Sequence, residues 1–168
     1  MVCGLSFSMM GDIVLEIYFM AGAILFAVGH ILYFVAYCFY KKLHWLDAVV
    51  SIAIAIPSVL IVVFVPVFNY GGLLMELVCA LYALIISFML GKAVANFIRE
   101  RNMTNFILML GSFLFFFSDL MLLFHVFANI SPVFDAVCLA TYFPAQAFLG
   151  WSILLNANEK IENKTQQN

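Results

Sequence analysis

The sequence predicts an all-α protein, a polytopic transmembrane bundle of about six helices. Of its 168 residues, 67% are hydrophobic and only 10% are charged, and the mean hydropathy is +1.14. A soluble domain needs more polar side chains than this to cover its outside, so the composition indicates a protein that lies in a lipid bilayer. Many of the apolar runs reach about 20 residues, the length of helix that crosses a hydrocarbon core ~30 Å thick.

Six apolar runs, separated by short polar or glycine- and proline-containing segments, predict helices A to F in chain order. Helix A is the shortest of them. The polar tail, residues 156–168, predicts a frayed and exposed cytoplasmic segment, which leaves residues 1–155 as a single transmembrane domain. The predicted helices are Val2–Ile17, Tyr18–Tyr40, Leu46–Val67, Gly72–Ile98, Thr104–Phe127 and Val133–Leu155.

Basic residues concentrate in the connections on one side of the predicted bundle. Under the positive-inside rule, this places both termini in the cytoplasm. Lys92 lies within helix D, and we expect its side chain to extend to the cytoplasmic interface. The residues that set the orientation are Lys41 and Lys42 between B and C, Arg99 and Arg101 between D and E, and Lys160 and Lys164 after F.

Charge and cysteine usage narrow the function classes. The formal net charge is −2 and no basic patch is present, which argues against a nucleic-acid partner. The cysteines, Cys3, Cys38, Cys79 and Cys138, lie singly in apolar segments without a C-x-x-C pair. They indicate neither a disulfide framework nor a zinc site, and nothing in the sequence calls for a cofactor.

Two aspartates, Asp12 and Asp119, lie inside apolar helices A and E. A charged side chain in the middle of a membrane helix costs roughly 2.5–3.5 kcal/mol, so such residues usually have a partner or a function. The surrounding segments are similar: FSMMGDIVL (7–15) and FFFSDLMLL (115–123) each have a small residue before the aspartate and apolar residues after it. Helices A and E run in the same direction, which predicts a parallel repeat four helices apart. We therefore expect the two aspartates to be buried and to act as a pair.

Other polar side chains lie at similar predicted depths. His30 and Tyr33 share one face of helix B, and Tyr142 and Gln146 are four residues apart on helix F. At a rise of 1.5 Å per residue, these groups and the aspartates fall in one slab of the bilayer, where they could line a shared cavity. The candidate catalytic residues are Asp12 and Asp119, and the candidate substrate-binding or supporting residues are His30, Tyr33, Tyr82, Ser118, Tyr142 and Gln146.

Five segments in order resemble motifs of a known family: GLSFSMMGD (4–12), GAILFAVGHILY (22–33), ALYALIISFM (80–89), GSFLFFFSD (111–119) and TYFPAQ (141–146). With these segments the sequence resembles the YhhN family of membrane proteins, which includes the animal lysoplasmalogenases. Members typically have eight transmembrane helices, so the resemblance implies that two N-terminal helices are missing here, as the incomplete repeat also suggests. Where the family often has Tyr-Tyr, this chain has Tyr142-Phe143.

The resemblance implies hydrolysis of the vinyl ether bond of a lysoplasmalogen, giving a fatty aldehyde and glycerophosphocholine or glycerophosphoethanolamine. The substrate would come from the bilayer, and the membrane would be that of the endoplasmic reticulum if the protein is eukaryotic. Vinyl ethers hydrolyse by protonation at carbon, which suits one carboxylic acid and one ionised carboxylate, as in glycoside hydrolysis. Asp12 and Asp119 would divide these roles, and His30 would orient one of them. Tyr33, Tyr142 and Gln146 would place substrate oxygens or water.

Three other readings remain open at this point. Buried Asp and His residues also build proton relays, so the chain could be a transporter or a proton-coupled carrier. Asp12, His30, Asp119 and His125 could form a metal-dependent hydrolase, although no His-x-x-x-His motif supports a zinc site. The chain could also be a truncated, non-catalytic family member. Head-group preference, chain-length preference and oligomeric state are not predicted.

Overall fold

A computed structural model describes the backbone of residues 1–165 and the side chains of residues 1–157. Within that part, the chain forms six α-helices and no strand, which confirms the predicted fold class. Five of the helices are long and apolar enough to cross a membrane, whereas α1 has only 14 residues. The helices are α1 Val2–Leu15, α2 Phe19–Tyr40, α3 Trp45–Phe64, α4 Leu73–Arg99, α5 Met103–Leu123 and α6 Val133–Thr165, with a π-helical turn, Phe124–Ala128, directly after α5.

Several predicted helix ends differ from the structure by a few residues, and those of helices E and F differ most. The α-helical geometry of α5 ends at Leu123, and the residues up to Ala128 form the π-turn. Helix α6 continues past Leu155 to Thr165, because the residues that follow include no glycine or proline to end it. Residues 166–168, and the side chains from residue 158 onward, lie outside the described part of the chain. The predicted exposure of the tail therefore stays a prediction.

Helices α1 and α2 form a tight antiparallel pair whose contact is made of glycines and aromatic rings. A Cβ atom at Gly4 would lie 2.8 Å from the Tyr33 ring, and one at Gly11 would lie 2.9 Å from the Phe26 ring. Small residues allow membrane helices to approach this closely. The pairing sets the register of α1 on α2, and with it the position of Asp12 relative to the polar face of α2.

Helix α4 lies at the centre of the bundle and packs against α2, α3 and α5. Helices α5 and α6 form a second hairpin, and α6 also meets α1. Within residues 1–165, the backbone of α3 approaches α4 and no other helix. Side chains of α2, α4, α5 and α6 form the main apolar core, in which Tyr33, Tyr37 and Phe115 are fully buried.

The bundle has two chemically different ends. We call the end with the loops at 41–44 and 100–102 the basic end, and the end with the loops at 65–72 and 129–132 the opposite end. At the opposite end, the N–H of Asn69 donates to the carbonyl of Phe127 at 2.8 Å, and the Tyr70 hydroxyl donates to the carbonyl of Val62, also at 2.8 Å. The Tyr70 and Phe127 rings lie 4.9 Å apart. These aromatic side chains therefore cover the interior of the bundle at the opposite end.

At the basic end, a buried ion pair joins α3 to α4. The ammonium group of Lys92 donates to Asp47 Oδ2 at 2.6 Å, and the same oxygen accepts the N–H of His44 at the start of α3. Lys92 is fully buried and Asp47 nearly so. The amine of Lys92 also donates to the carbonyl of Lys42 at 3.3 Å, so the side chain reaches the loop at the basic end but is covered by protein there.

Candidate active site

Asp119 is the centre of a polar cluster formed by α2, α4 and α5. The Tyr82 hydroxyl donates to Asp119 Oδ2 at 2.6 Å. His30 Nε2 lies 2.7 Å from the Tyr82 oxygen and 3.3 Å from the same carboxylate oxygen. Three residues that are far apart in the chain therefore meet around one carboxyl oxygen.

The surroundings of His30 fix its ring in one orientation. The side chain is fully buried, and the Phe115 ring packs edge-on against it with the centroids 4.6 Å apart. Among the described residues, Nδ1 has no hydrogen-bond partner. A proton on Nδ1 would be a buried, unsatisfied donor, at a cost of about 1–3 kcal/mol. We therefore assign the proton of the neutral ring to Nε2, from which it points toward Tyr82 and Asp119.

Asp12 belongs to a second polar cluster, formed by α1, α2 and α6. The Tyr142 hydroxyl donates to Asp12 Oδ2 at 2.8 Å, and Gln146 Nε2 donates to the Tyr142 oxygen at 2.9 Å. The Tyr33 hydroxyl donates to Gln146 Oε1 at 3.3 Å. The spacing of Tyr142 and Gln146 by four residues places both on the same face of α6. The hydrogen bonds therefore form one continuous chain from Asp12 to Tyr33.

Each of the two clusters joins the α1–α2 hairpin to the α5–α6 hairpin. Asp12 on α1 bonds to a residue of α6, whereas Asp119 on α5 approaches a residue of α2, so each aspartate takes a partner from the other helical hairpin. The Phe115 ring contacts both clusters, with its centroid 4.6 Å from that of the His30 ring and 5.2 Å from that of the Tyr142 ring. Seven of the eight candidate residues therefore lie in these two linked clusters.

Ser118 is the candidate that lies elsewhere. Its hydroxyl is buried, but it pairs with the sulfur of Cys138 at 3.4 Å. Successive residues of a helix point about 100° apart, so the side chain next to Asp119 in sequence faces α6 and not the Asp119 cluster.

The expectation that both aspartates are buried is wrong for Asp12. Asp119 is largely covered, with its side chain 13% exposed, whereas Asp12 is an exposed residue. The reason is the position of α1, which packs only on α2 and, at a few positions, on α6. Within the described chain, no helix covers the outer side of α1.

An apolar cavity of about 340 Å³ lies beside the Asp119 cluster. It is bounded by α2, α3, α4 and α5, and its volume is at the lower end of the range of ~300–1,000 Å³ that is typical of small-molecule sites. Asp119 and Tyr82 are polar groups in a wall made mostly of aliphatic side chains, and Asp12 does not line the cavity. The cavity therefore brings a largely apolar ligand against the Asp119 cluster.

The alternative metal site is not formed. Among the residues that the structure describes, no group of three or more His, Cys, Asp and Glu side chains is arranged to hold a metal ion. Of the four residues considered for it, His30 and Asp119 meet, while His125 lies in the π-turn at the opposite end.

The sequence reasoning missed one residue that shapes these clusters, Phe115, and one buried residue that lies outside them, Asp47. Phe115 contacts both the Asp119 cluster and the Asp12 cluster. The sequence pattern that could have identified it is its position four residues before Asp119, on the same face of α5. Asp47 was overlooked because it comes at the start of α3, where an acidic residue is usually a solvated helix cap.

Comparison with known proteins places the chain in a family. No curated protein and no solved structure matches it. The model of the YhhN family matches residues 1–153, which cover both aspartates and every hydrogen bond of the two clusters. The chain belongs to the YhhN family.

Proposed function

We propose that the protein is a membrane-embedded hydrolase that cleaves the vinyl ether bond of lysoplasmalogens. The products are a fatty aldehyde and glycerophosphocholine or glycerophosphoethanolamine. Membership of the YhhN family supports a lysoplasmalogenase-like activity. The observation that carries the proposal is the Asp119 cluster, which places a carboxyl group at an apolar cavity within the membrane-spanning helices.

The chemistry requires a proton donor that reaches carbon. Protonation of the vinyl carbon distal to the ether oxygen breaks the double bond and gives an oxocarbenium ion. Water adds to that ion to form a hemiacetal, and the hemiacetal then breaks into the aldehyde and the alcohol of the glycerol group. Acid catalysis of this kind contributes ~10²–10⁴-fold to a rate. Because no metal or cofactor is needed for these steps, two carboxyl groups can perform them.

Asp119 is the proton donor in this proposal. It lines the cavity, whereas Asp12 does not, and a donor must touch the carbon that it protonates. The hydrogen bonds from Tyr82 and His30 converge on Oδ2, so Oδ1 is the oxygen that carries the proton. Tyr82 and His30 act as positioning residues that hold the carboxyl plane toward the cavity.

Asp12 is the ionised partner. The Phe115 ring contacts both clusters, and two carboxyl groups that lie close together in an apolar medium favour a state in which only one is charged. The Asp12 cluster is rich in hydroxyl and amide groups from Tyr33, Tyr142 and Gln146, which are suited to holding a water molecule. In this proposal, Asp12 accepts a proton from the water that adds to the oxocarbenium ion, and its charge stabilises that ion beforehand.

The proposed setting is an integral membrane with the basic end and both termini in the cytoplasm. In a eukaryote the membrane would be that of the endoplasmic reticulum. A single-chain lipid dissolved in the bilayer can reach the cavity without leaving the hydrocarbon region, which gives a physical reason for an enzyme built within the membrane.

The test is aldehyde release from a purified 1-alkenyl lysophospholipid in detergent, measured for the wild-type protein and for Asp119→Asn. The substitution keeps the shape and removes the proton, so we expect the rate to fall by ~10²–10⁴-fold. Glu16→Gln is the matched control, because it also removes an acidic group but at an exposed position after α1.

Equal rates in the wild type and a folded Asp119→Asn variant would refute the assignment of Asp119. If the wild-type protein converts no substrate but moves it across liposome membranes, the transporter reading replaces the hydrolase. Folding of each variant is checked by its elution as a single species in detergent and by its helical circular dichroism.

A further inference from the structure

The cavity beside Asp119 exists because α3 stands apart from α2 and α5. Among the described residues, the backbone of α3 approaches only α4, and the gap on its other side is the cavity. The lining side chains Ala53 and Pro57 of α3 are exposed, whereas Ala83 and Ile86 on the α4 wall are buried. The cavity therefore opens along α3, on a side that faces lipid in a membrane.

The dimensions of the cavity match one lipid tail. Its lining on α3 runs from Ala53 to Val62, which is ~13 Å of helix at a rise of 1.5 Å per residue. Half of a ~30 Å hydrocarbon core, the thickness of one leaflet, is ~15 Å. A volume of about 340 Å³ at this length leaves a narrow channel. It suits one unbranched chain and not a pair of chains side by side.

Aromatic rings close the channel toward the opposite end. Phe19 from α2 packs on Phe127 of the π-turn with the ring centroids 5.2 Å apart, and Val62 of α3 belongs to the same apolar cluster. A ligand therefore has its most open route beside α3, through the plane of the membrane. Asp119 and Tyr82 both line the channel, so a chain that lies in it contacts the carboxyl group of Asp119.

We infer that this channel is the binding site for the single hydrocarbon chain of a lysolipid, which enters sideways from the bilayer past Ala53. The inference rests on the proposed function only for the identity of the bond that reaches Asp119. The chain site itself follows from the shape, the apolar lining and the exposed edge at α3.

The test uses a lysophospholipid with a saturated 1-O-alkyl chain that carries a photoreactive diazirine. A saturated ether has no double bond to protonate, so this probe measures binding without conversion. We expect crosslinks, mapped by mass spectrometry, on the lining residues of α3, α4 and α5. An excess of unlabelled alkyl lysolipid should compete with the probe, and an excess of glycerophosphocholine, which has no hydrocarbon chain, should not.

Two variants on the same helix make the test specific. In Ala53→Phe, a ring fills the open side of the channel, and we expect labelling to fall by about tenfold, an effect of the size that a few methylene groups have in an apolar pocket. Ala48→Phe is the matched control, because Ala48 is also an exposed alanine of α3 but does not line the cavity.

The outcomes separate this inference from the proposed function. If Ala53→Phe is labelled like the wild type, or if the crosslinks lie outside the channel, the chain site is refuted even when the wild-type protein releases aldehyde. If labelling falls in Ala53→Phe alone and the wild type releases no aldehyde, the chain site holds and the proposed reaction is refuted.

Discussion

The protein encloses two aspartates with opposite kinds of partner, Asp47 at the basic end and Asp119 beside the cavity. Asp47 accepts a hydrogen bond from the ammonium group of Lys92 at 2.6 Å, and both side chains are buried away from the cavity. Asp119 accepts its bonds from neutral groups, the Tyr82 hydroxyl and the His30 ring, and it faces the cavity. One carboxylate is neutralised by a charge of opposite sign, and the other is surrounded by neutral donors.

This difference separates a structural role from a chemical one. A lysine beside a carboxylate favours the charged form and keeps the proton away, which suits a permanent link between two helices. Neutral donors can stay bonded to the carboxyl group in both protonation states of its free oxygen. Asp119 therefore has the surroundings expected of a group that gives up and recovers a proton, and Asp47 has those of a fixed ion pair.

The largest effect on stability is expected from Lys92→Met. The substitution keeps the length of the side chain but leaves the buried Asp47 carboxylate with only the guanidinium of Arg99, 3.9 Å from Oδ1. The free energy of unfolding should therefore fall, by up to about 3–5 kcal/mol. The measurement is an SDS titration in mixed micelles, followed by circular dichroism.

The double variant Asp47→Asn with Lys92→Met sharpens this result, because it removes both charges and should regain part of the loss. If the double variant is as unstable as the sum of the two single variants, the pair is not a coupled ion pair and the contrast with Asp119 fails.

A smaller effect, confined to catalysis, is expected from Tyr82→Phe. The ring still fills its place, but Asp119 loses a hydrogen bond that becomes worth about 1.5–3 kcal/mol as the carboxyl group gives up its proton and gains charge. The rate of aldehyde release should fall by ~10–100-fold with little change in KM, since Tyr82 holds the carboxyl group. A rate that is unchanged, with a raised KM, would assign Tyr82 to substrate binding instead.

The smallest effect is expected from Ser118→Ala. The hydroxyl of this serine pairs with the sulfur of Cys138 and not with Asp119, so its removal should change the rate of aldehyde release by less than about twofold. The unfolding free energy should change by about 1 kcal/mol or less, the usual net worth of such a bond. A large loss of activity in a stable variant would show that Ser118 reaches the reaction site after all.

Much of the architecture follows from local properties of the chain. Hydrophobic runs of membrane length predicted the all-helical fold and the helix order, because a bilayer requires every backbone group to be bonded within its own helix. The spacing of Tyr142 and Gln146 predicted one face on α6, and the same geometry held for His30 and Tyr33 on α2. The rarity of carboxylates in apolar segments pointed to Asp12 and Asp119 before any packing was known.

The pairing of side chains between helices was decided by the tertiary structure alone. Nothing in the sequence indicated that Asp119 would meet His30 and Tyr82 while Asp12 met Tyr142, since these contacts depend on which helices become neighbours. For the same reason, Ser118 was wrongly grouped with the site and Asp12 was expected to be buried. Composition and periodicity are properties of one segment at a time. A hydrogen bond or an ion pair between two helices also needs their relative rotation and height, and these arise only when the whole bundle packs.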